Sequence, residues 1–346
     1  MKKNYWFLML FGIVVMILSA CGNGGSGDEE AEAGDESSEA DPGASVVLDL
    51  SIPEPEGAKF DIAAKAMDEK LLELSDGEMS IKVHYNNSLG GEREVIELMS
   101  NNSVDMAIQS SGPMINWGQE FALFDLPFLF ENLDHAHAVM DSEIGDELAQ
   151  TFEEATNVKV LGWVENGFVA TSSNSLIDTV EDVEGMDMRV QENEIQIDTW
   201  EAFGASPTPM AWPEVYTSLQ QGVLDGHSNS LATIQTSRIF EVQSHVALIE
   251  DRYQPGPIAI SKMKFDSLTE EQQGYLEEAA EYAVGIGRQA NQDKVDEAYD
   301  FLIEEGVEIN DDVDKESFME TTDPVYEKWG PRIGEDLIER VRNFEY

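Results

Sequence analysis

Short apolar runs with a two-residue period alternate in this chain with longer segments of helical spacing, and that alternation restricts its fold more than any other feature. VVLDLSI (46–52), MSIKVHY (79–85) and VDMAIQSS (104–111) read as strands and an exit loop; a segment from about Lys59 to Leu74 and EREVIELMSNN (92–102) read as the helices between them. A β-α-β-α-β order requires a largely parallel sheet flanked by helices, so an α/β fold is expected. In open sheets of this kind, ligands meet the carboxyl ends of strands. Gln109 and Ser110, just past the third strand, are therefore candidate contacts.

The same logic recurs between Gly185 and Asn229. Met186, Met188 and Val190 alternate with Asp187 and Arg189, the pattern of a strand with one buried face. Ile195, Thr199, Ala202 and Phe203 follow at helical spacing up to Gly204. Trp212 precedes a proline and is expected to be extended, with Pro213 opening a helix that carries Val215 and Leu219 on one face. Gly222 ends that helix before a short VLDG strand and turn. The outcome is an arginine (Arg189), an aromatic (Trp212) and an amide (Asn229) on one side of a β-α-β unit. Arginine presents a planar fork suited to bidentate pairing with a carboxylate. The alternative for Arg189 is a salt bridge to Asp187 or to a neighbouring helix.

With 346 residues the chain exceeds what one core usually serves, so two domains are expected. Its 70 acidic and 20 basic residues give a formal charge of −50, which leaves no basic patch for nucleic acid and repels an anionic bilayer surface. A solvated acidic surface accounts for this charge, and adaptation to high salt is the sharper reading.

Lys2 and Lys3 precede the apolar run YWFLMLFGIVVMIL, too short to span a membrane comfortably, so 1–20 read as an export signal. Leu18-Ser19-Ala20-Cys21 resembles a lipobox, with Cys21 lipidated and made the new N-terminus. As the single cysteine, Cys21 allows no internal disulfide. Residues 21–45 lack large apolar side chains and are expected to form a disordered acidic tether. Further on, VKVLGW and GFVATS read as two strands around Glu165-Asn166-Gly167. His135 and His137, two apart on a helix, would point about 200° apart and would not chelate one metal. Residues 246–260 read as returning strands, 268–305 as a long helix opened by Thr269, and 324–346 as a tail with a further helix.

The blocks G-x-x-M-R-V, EVYTSLQQGVLDG, LGGEREVIELMSNNSVDMAI and FDLPFLF, in this order-consistent set, make the chain resemble the DctP family over roughly residues 46–340. These are the extracytoplasmic solute-binding proteins of TRAP (tripartite ATP-independent periplasmic) transporters. The resemblance implies a two-domain periplasmic-binding-protein-like fold with hinge strands and a long helix spanning both domains. Domain I would comprise 46–166 plus about 255–295, and domain II 167–254 plus about 296–346. It implies that Arg189 clamps the solute carboxylate and that Asn229 and Trp212 line the cleft, although His227 and Ser228 stand where the family has Gln and Glu. It also turns Trp163, Glu165 and Phe168 toward the cleft, core packing being the alternative for the two aromatics.

Where dicarboxylate-binding members carry a second arginine in G-F-R-x-x-T, this chain has Val169. One clamp, the aromatics, and Glu56 or Glu165 then favour a monocarboxylate or a zwitterion such as ectoine, whose cationic centre could stack on aromatic faces. The expected partners are that small carboxylate and the small and large permease subunits, with a monomeric receptor lipid-anchored on the outer face of the membrane. No cofactor is expected. The competing readings are a C4-dicarboxylate receptor, a binding protein for an ABC importer or a sensor, and an exported enzyme. Scattered histidines and the lack of GxSxG argue against the last.

Overall fold

A computed structural model describes residues 37–346. The export signal and Cys21 lie outside the described residues. The strands are β1 (Val46–Ser51), β2 (Met79–His84), β3 (Met106–Ile108), β4 (Val158–Phe168), β5 (Ala170–Ser173), β6 (Asp187–Val190), β7 (Ser206–Pro209), β8 (Gly226–Asn229), β9 (His245–Ala247), β10 (Tyr253–Ser261) and β11 (Glu308–Asn310). The helices are α1 (Lys59–Leu74), α2 (Glu92–Ser100), α3 (Leu133–Met140), α4 (Glu143–Thr156), α5 (Glu194–Ala202), α6 (Val215–Gln220), α7 (Leu231–Thr236), α8 (Lys262–Ser267), α9 (Glu270–Glu304), α10 (Lys315–Met319), α11 (Asp323–Ile333) and α12 (Glu335–Arg342).

Two sheets organise them. The first has the order β2-β1-β3-β10-β4 and the second β11-β9-β5-β8-β6-β7. The predicted β1-α1-β2-α2-β3 unit is parallel throughout, and β10 joins it antiparallel between β3 and β4. In the second sheet β6 is parallel to both β7 and β8. Only Val169 separates β4 in the first sheet from β5 in the second, so the chain passes directly between sheets there. The long helix α9 starts at Thr269, whose hydroxyl accepts from the Gln272 amide while Gln272 accepts from the Thr269 amide. Its Leu276, Ala280 and Ala283 join the core of the first sheet, and its Ala298 and Leu302 that of the second.

Five expectations are corrected. Residues 37–45 are ordered: Ser38 donates its amide to Val83 O at 2.8 Å, and Val83 donates to Ser38 Oγ at 2.7 Å. The open edge of β2 offers unpaired backbone groups, and this outweighs the segment's low hydrophobicity. The break between the strands expected as VKVLGW and GFVATS falls at Val169 rather than at Glu165-Asn166-Gly167, because β10 gives 158–168 a continuous antiparallel partner with two register shifts. The strand after α6 is Gly226–Asn229, not VLDG, and Trp212 lies in a one-turn 3₁₀ helix (212–214). Finally, Val325, Trp329, Leu337 and Val341 of α11 and α12 pack into one core with Phe121, Phe152 and Val158, on the first sheet's side, although 296–346 were expected with the second domain.

At Gly287, α9 packs tightly against β4 and α1. A Cβ there would stand 2.8 Å from Val164 Cγ1 and 3.0 Å from Ala63 Cβ, whereas at exposed Gly285 it would meet nothing within 4 Å. Gly287→Leu should therefore destabilise by about 1–3 kcal/mol through overpacking. Gly285→Ala should instead stabilise by up to about 1 kcal/mol through helix propensity. Chemical denaturation of the two variants checks the pair.

Candidate functional site

Strand β6 carries Arg189 at its end, paired in register with His227 of β8 and Thr208 of β7. The side chain is buried, 5 % exposed, and both Nε and Nη2 donate to Met210 O at 2.9 and 2.8 Å. Its guanidinium carbon sits 5.5 Å from the centre of the Trp212 ring. Among the described residues no carboxylate lies within ion-pair distance of it, so the salt bridge to Asp187 weighed from sequence does not form. Burial pulls the Arg189 pKa down to about 10, opposed by the field of Glu92 and assisted by that of Arg252. The group stays charged at neutral pH and lacks an anion.

Around it lies a narrow cavity of about 30 Å³, lined by residues from both sheets. That is room for about two waters. Trp212, Ser228 and Asn229 come from the second sheet's side, with Asn166 and Gln254 from the crossing strands β4 and β10. Glu54, Phe60, Glu92 and Ser110 come from the first sheet's side. Glu92, in the first turn of α2, accepts from the Ser110 amide at 2.9 Å and hydroxyl at 2.8 Å. Burial raises its pKa against those bonds and against the pull of Arg189. Glu54 forms a buried ion pair with Lys59 and accepts from Thr233 Oγ1 at 3.1 Å.

Several bonds cross the gap. Gln191 Nε2 donates to Ser110 Oγ at 2.8 Å, and Lys59 Nζ to Thr233 Oγ1, also at 2.8 Å. Asn166 Nδ2 donates to Asn229 Oδ1 and to Gln254 Oε1, each at 2.9 Å. Behind Arg189 a second buried cation, Arg252, faces Asp125 (3.4 Å) and Asp251 (2.8 Å). Asp125, from the FDLPFLF block, also accepts from Asn193 (2.7 Å) and Gln196 (2.8 Å), which steadies the loop that follows β6.

The structure thus brings Arg189, Trp212, Asn229 and the candidate Ser110 together and places the other candidates elsewhere. Gln109 is buried beside the cavity without lining it, and its neighbour Ser110 takes that place. Trp163 packs in the core against Phe124, ring centres 5.6 Å apart. Glu165 turns inward to His137 (2.6 Å), Tyr253 (3.0 Å) and Asn291 (2.9 Å). Phe168 stacks edge-on against Tyr253 and lines a different cavity. Glu56 is exposed and pairs with Lys65 at 2.7 Å. One residue of strand register separates Glu165 from Asn166, and a bulge-bearing strand pair hid which of the two faces the cavity. Glu54 and Glu56 flank Pro55 alike, so no local signal distinguished them. Gln191 was legible in retrospect, two residues beyond Arg189 where the same strand face continues.

Residues 52–331 match the family described as bacterial extracellular solute-binding protein, family 7 (DctP). The chain belongs to this family. It is a TRAP solute-binding receptor and not an enzyme. The 2,3-diketo-L-gulonate-binding periplasmic protein YiaO of Escherichia coli K12 is 31% identical over 260 residues, covering 75% of this chain and 79% of its own. A TRAP solute-binding protein from Polaromonas sp JS666, solved with D-erythronate, superposes with TM-score 0.85 at 29% identity, over 87% of this chain and 99% of its own. The sugar acid binding protein DctPAm of Advenella mimigardefordensis, solved with galactonate, gives 0.83 at 28% identity, over 86% and 96%. The family is extracytoplasmic, and its members work with membrane permease subunits. Among the described residues no helix is long and apolar enough to cross a membrane.

His227 is fully buried between Trp212 and Ser172; its Nδ1 meets Ser172 Oγ at 2.7 Å, and its Nε2 has no hydrogen-bond partner among the described residues. Burial, then the fields of Arg189 and Arg252, lower its pKa from 6.5 to about 3. Between those values the unfolded chain binds a proton that the folded one refuses, so this residue costs stability as pH falls below 6.5. His227→Gln should therefore lose less melting temperature than the parent between pH 7 and pH 4, read by calorimetry across that range.

Proposed function

We propose that this receptor captures a sugar acid, a polyhydroxylated monocarboxylate, in the cavity around Arg189 and delivers it to a TRAP permease. The observation that carries this reading is the company Arg189 keeps. One unpaired, desolvated guanidinium supplies a single carboxylate clamp. Beside it stand two carboxylates, Glu54 and Glu92, which can accept from ligand hydroxyls and would repel a second ligand carboxylate. Amides and hydroxyls of Asn166, Gln254, Ser228 and Thr233 supply further donors and acceptors of the kind a polyol needs. The relatives solved with D-erythronate and galactonate support the same class. The zwitterion reading, with ectoine as its example, relied on Trp163, Phe168, Trp212, Glu165 and Glu56, and of these Trp212 alone lines this cavity.

The halves built on the two sheets act as domains I and II, joined through β4, β10 and α9, and they part to admit the solute. In the closed form the ligand replaces bonds that side chains now make across the gap, such as Gln191 to Ser110. The permease would recognise closed over open, since ligand shifts the equilibrium only through differential affinity. Arg189, Trp212 and Asn229 are the proposed contacts from the second sheet, with Glu54, Glu92 and Ser110 opposite. Cys21 is proposed as a lipid anchor that keeps a monomeric receptor at the outer face of the membrane.

A thermal-shift titration tests the ligand class. D-galactonate or D-glucuronate at 100 times its dissociation constant should add about 2.7 kcal/mol of stability, while succinate and ectoine leave the melting point unchanged. Arg189→Ala should abolish the shift, a loss of about 2–5 kcal/mol in binding. A shift with ectoine alone would replace the sugar-acid reading. Separately, labelling cells with an alkyne-tagged palmitate should mark the chain, and Cys21→Ser should remove the label.

A further inference from the structure

Arg189 and Glu92 line the same cavity of about 30 Å³, one from the end of β6 and the other from the first turn of α2. A carboxylate that docks on Arg189 therefore arrives beside a second carboxylate. Two acids of the protein face this space, and their surroundings differ. Glu54 is paired with buried Lys59 and accepts from Thr233 Oγ1, so a neighbouring cation already holds its negative charge. Glu92 is half-buried, with one oxygen on the Ser110 amide and hydroxyl. Among the described residues no lysine or arginine stands within ion-pair distance of it; the adjacent Arg93 turns to Glu97 and Glu192.

Burial, and less strongly the field of Glu54, raise the Glu92 pKa against the Ser110 bonds and the field of Arg189. Of the groups that oppose the rise, Arg189 is the one a ligand takes away. A carboxylate on the guanidinium cancels the field that favours the Glu92 anion and adds a like charge at short range. The other charges nearby do not replace it. Arg252 is met by Asp125 and Asp251, and His227 is buried and uncharged at neutral pH. Glu94, on the same helix, is exposed. Toward α4, β4 and the turn at 112–116, α2 presents Val95, Ile96 and Met99, which share an apolar core with Met114, Phe152 and Trp163.

We propose that the receptor takes up its sugar acid together with one proton from solvent, held on Glu92. This rests on the sugar-acid reading and adds a condition to it. The Glu92 carboxylate gains an O–H while the ligand stays ionised on Arg189, so no bond in the ligand changes. Neutral Glu92 no longer repels the bound carboxylate, and its O–H becomes a donor. Binding raises the Glu92 pKa, so affinity is highest where Glu92 is already protonated. It falls as pH rises, by up to about tenfold per unit between the free and bound pKa of Glu92.

Calorimetric titration of the full chain with D-galactonate between about pH 5 and pH 8, a window in which an ordinary sugar-acid carboxylate is ionised, tests this. Repeating it in buffers of different ionisation enthalpy counts the protons. Net uptake should be positive and should approach one where affinity falls about tenfold per unit. Glu92→Gln should abolish the uptake and flatten the affinity across the window. His227→Gln should keep both, which excludes the imidazole as the acceptor. D-Galactonate binding without proton uptake, or with proton release, would overturn the proposal and leave the sugar-acid reading intact. Uptake that persists in Glu92→Gln would do the same. The proton count is read on the unaltered chain, so it decides even if Glu92→Gln does not fold. Absence of binding by both D-galactonate and D-glucuronate would sink the sugar-acid reading, and this proposal with it.

Discussion

A guanidinium taken out of water without an anion is the constraint on which the rest of the site depends. Arg189 is held by one backbone carbonyl, that of Met210, and by the face of Trp212, which fix its direction without cancelling its charge. Burying a charge is costly unless it is compensated, and here the compensation is partial. Glu92 acts on it through its field, at more than ion-pair distance, and is itself occupied by Ser110. The guanidinium charge therefore stays without an ion-pair partner among the described residues. Arg252, the second buried cation, is by contrast met by Asp125 and Asp251 and serves the frame.

Both sheets present polar groups to the space beside that guanidinium. Strands β4 and β10 run antiparallel over most of their length and carry Asn166 and Gln254 into the cavity. Helix α9 packs on the cores of both sheets and makes them one body in this conformation. The inward cluster of Glu165, His137, Tyr253 and Asn291 fastens β4 to β10, α3 and α9. Its carboxylate, which from sequence could have served a ligand, instead satisfies three donors in the interior and ties the crossing strands to the long helix.

How far the site could be read in advance depended on local geometry. Arg189 was legible because a strand's alternation and the rule that ligands meet strand ends are both local in sequence. Asn229 was legible in part, since the β-α-β reading brings the amide to the side of Arg189, while its role within DGHSN came from the family pattern. Trp212 was correctly placed although its backbone is a 3₁₀ turn rather than extended, because position survives such a change. Glu165 and Asn166 were exchanged by one step along a strand whose register shifts against β10. Trp163 and Phe168 went to the interior because large aromatics stabilise a core more than they line a polar crevice.

The sequence by itself determined the main element types, the parallel first unit, the long helix opened by Thr269 and the arginine at the end of β6. Each rests on periodicity or on contacts within a few residues, where backbone geometry leaves few alternatives. Only the tertiary structure decided which acids face the cavity, which side the terminal helices pack on and how 37–45 are held to β2. Those outcomes depend on partners distant in the chain: Glu54 meets Thr233, Trp329 joins the core of Phe152, and Ser38 finds the open edge at Val83. A side chain's destination is settled by the free energy of the whole packed arrangement, and no local pattern encodes the far partner that makes one burial cheaper than another.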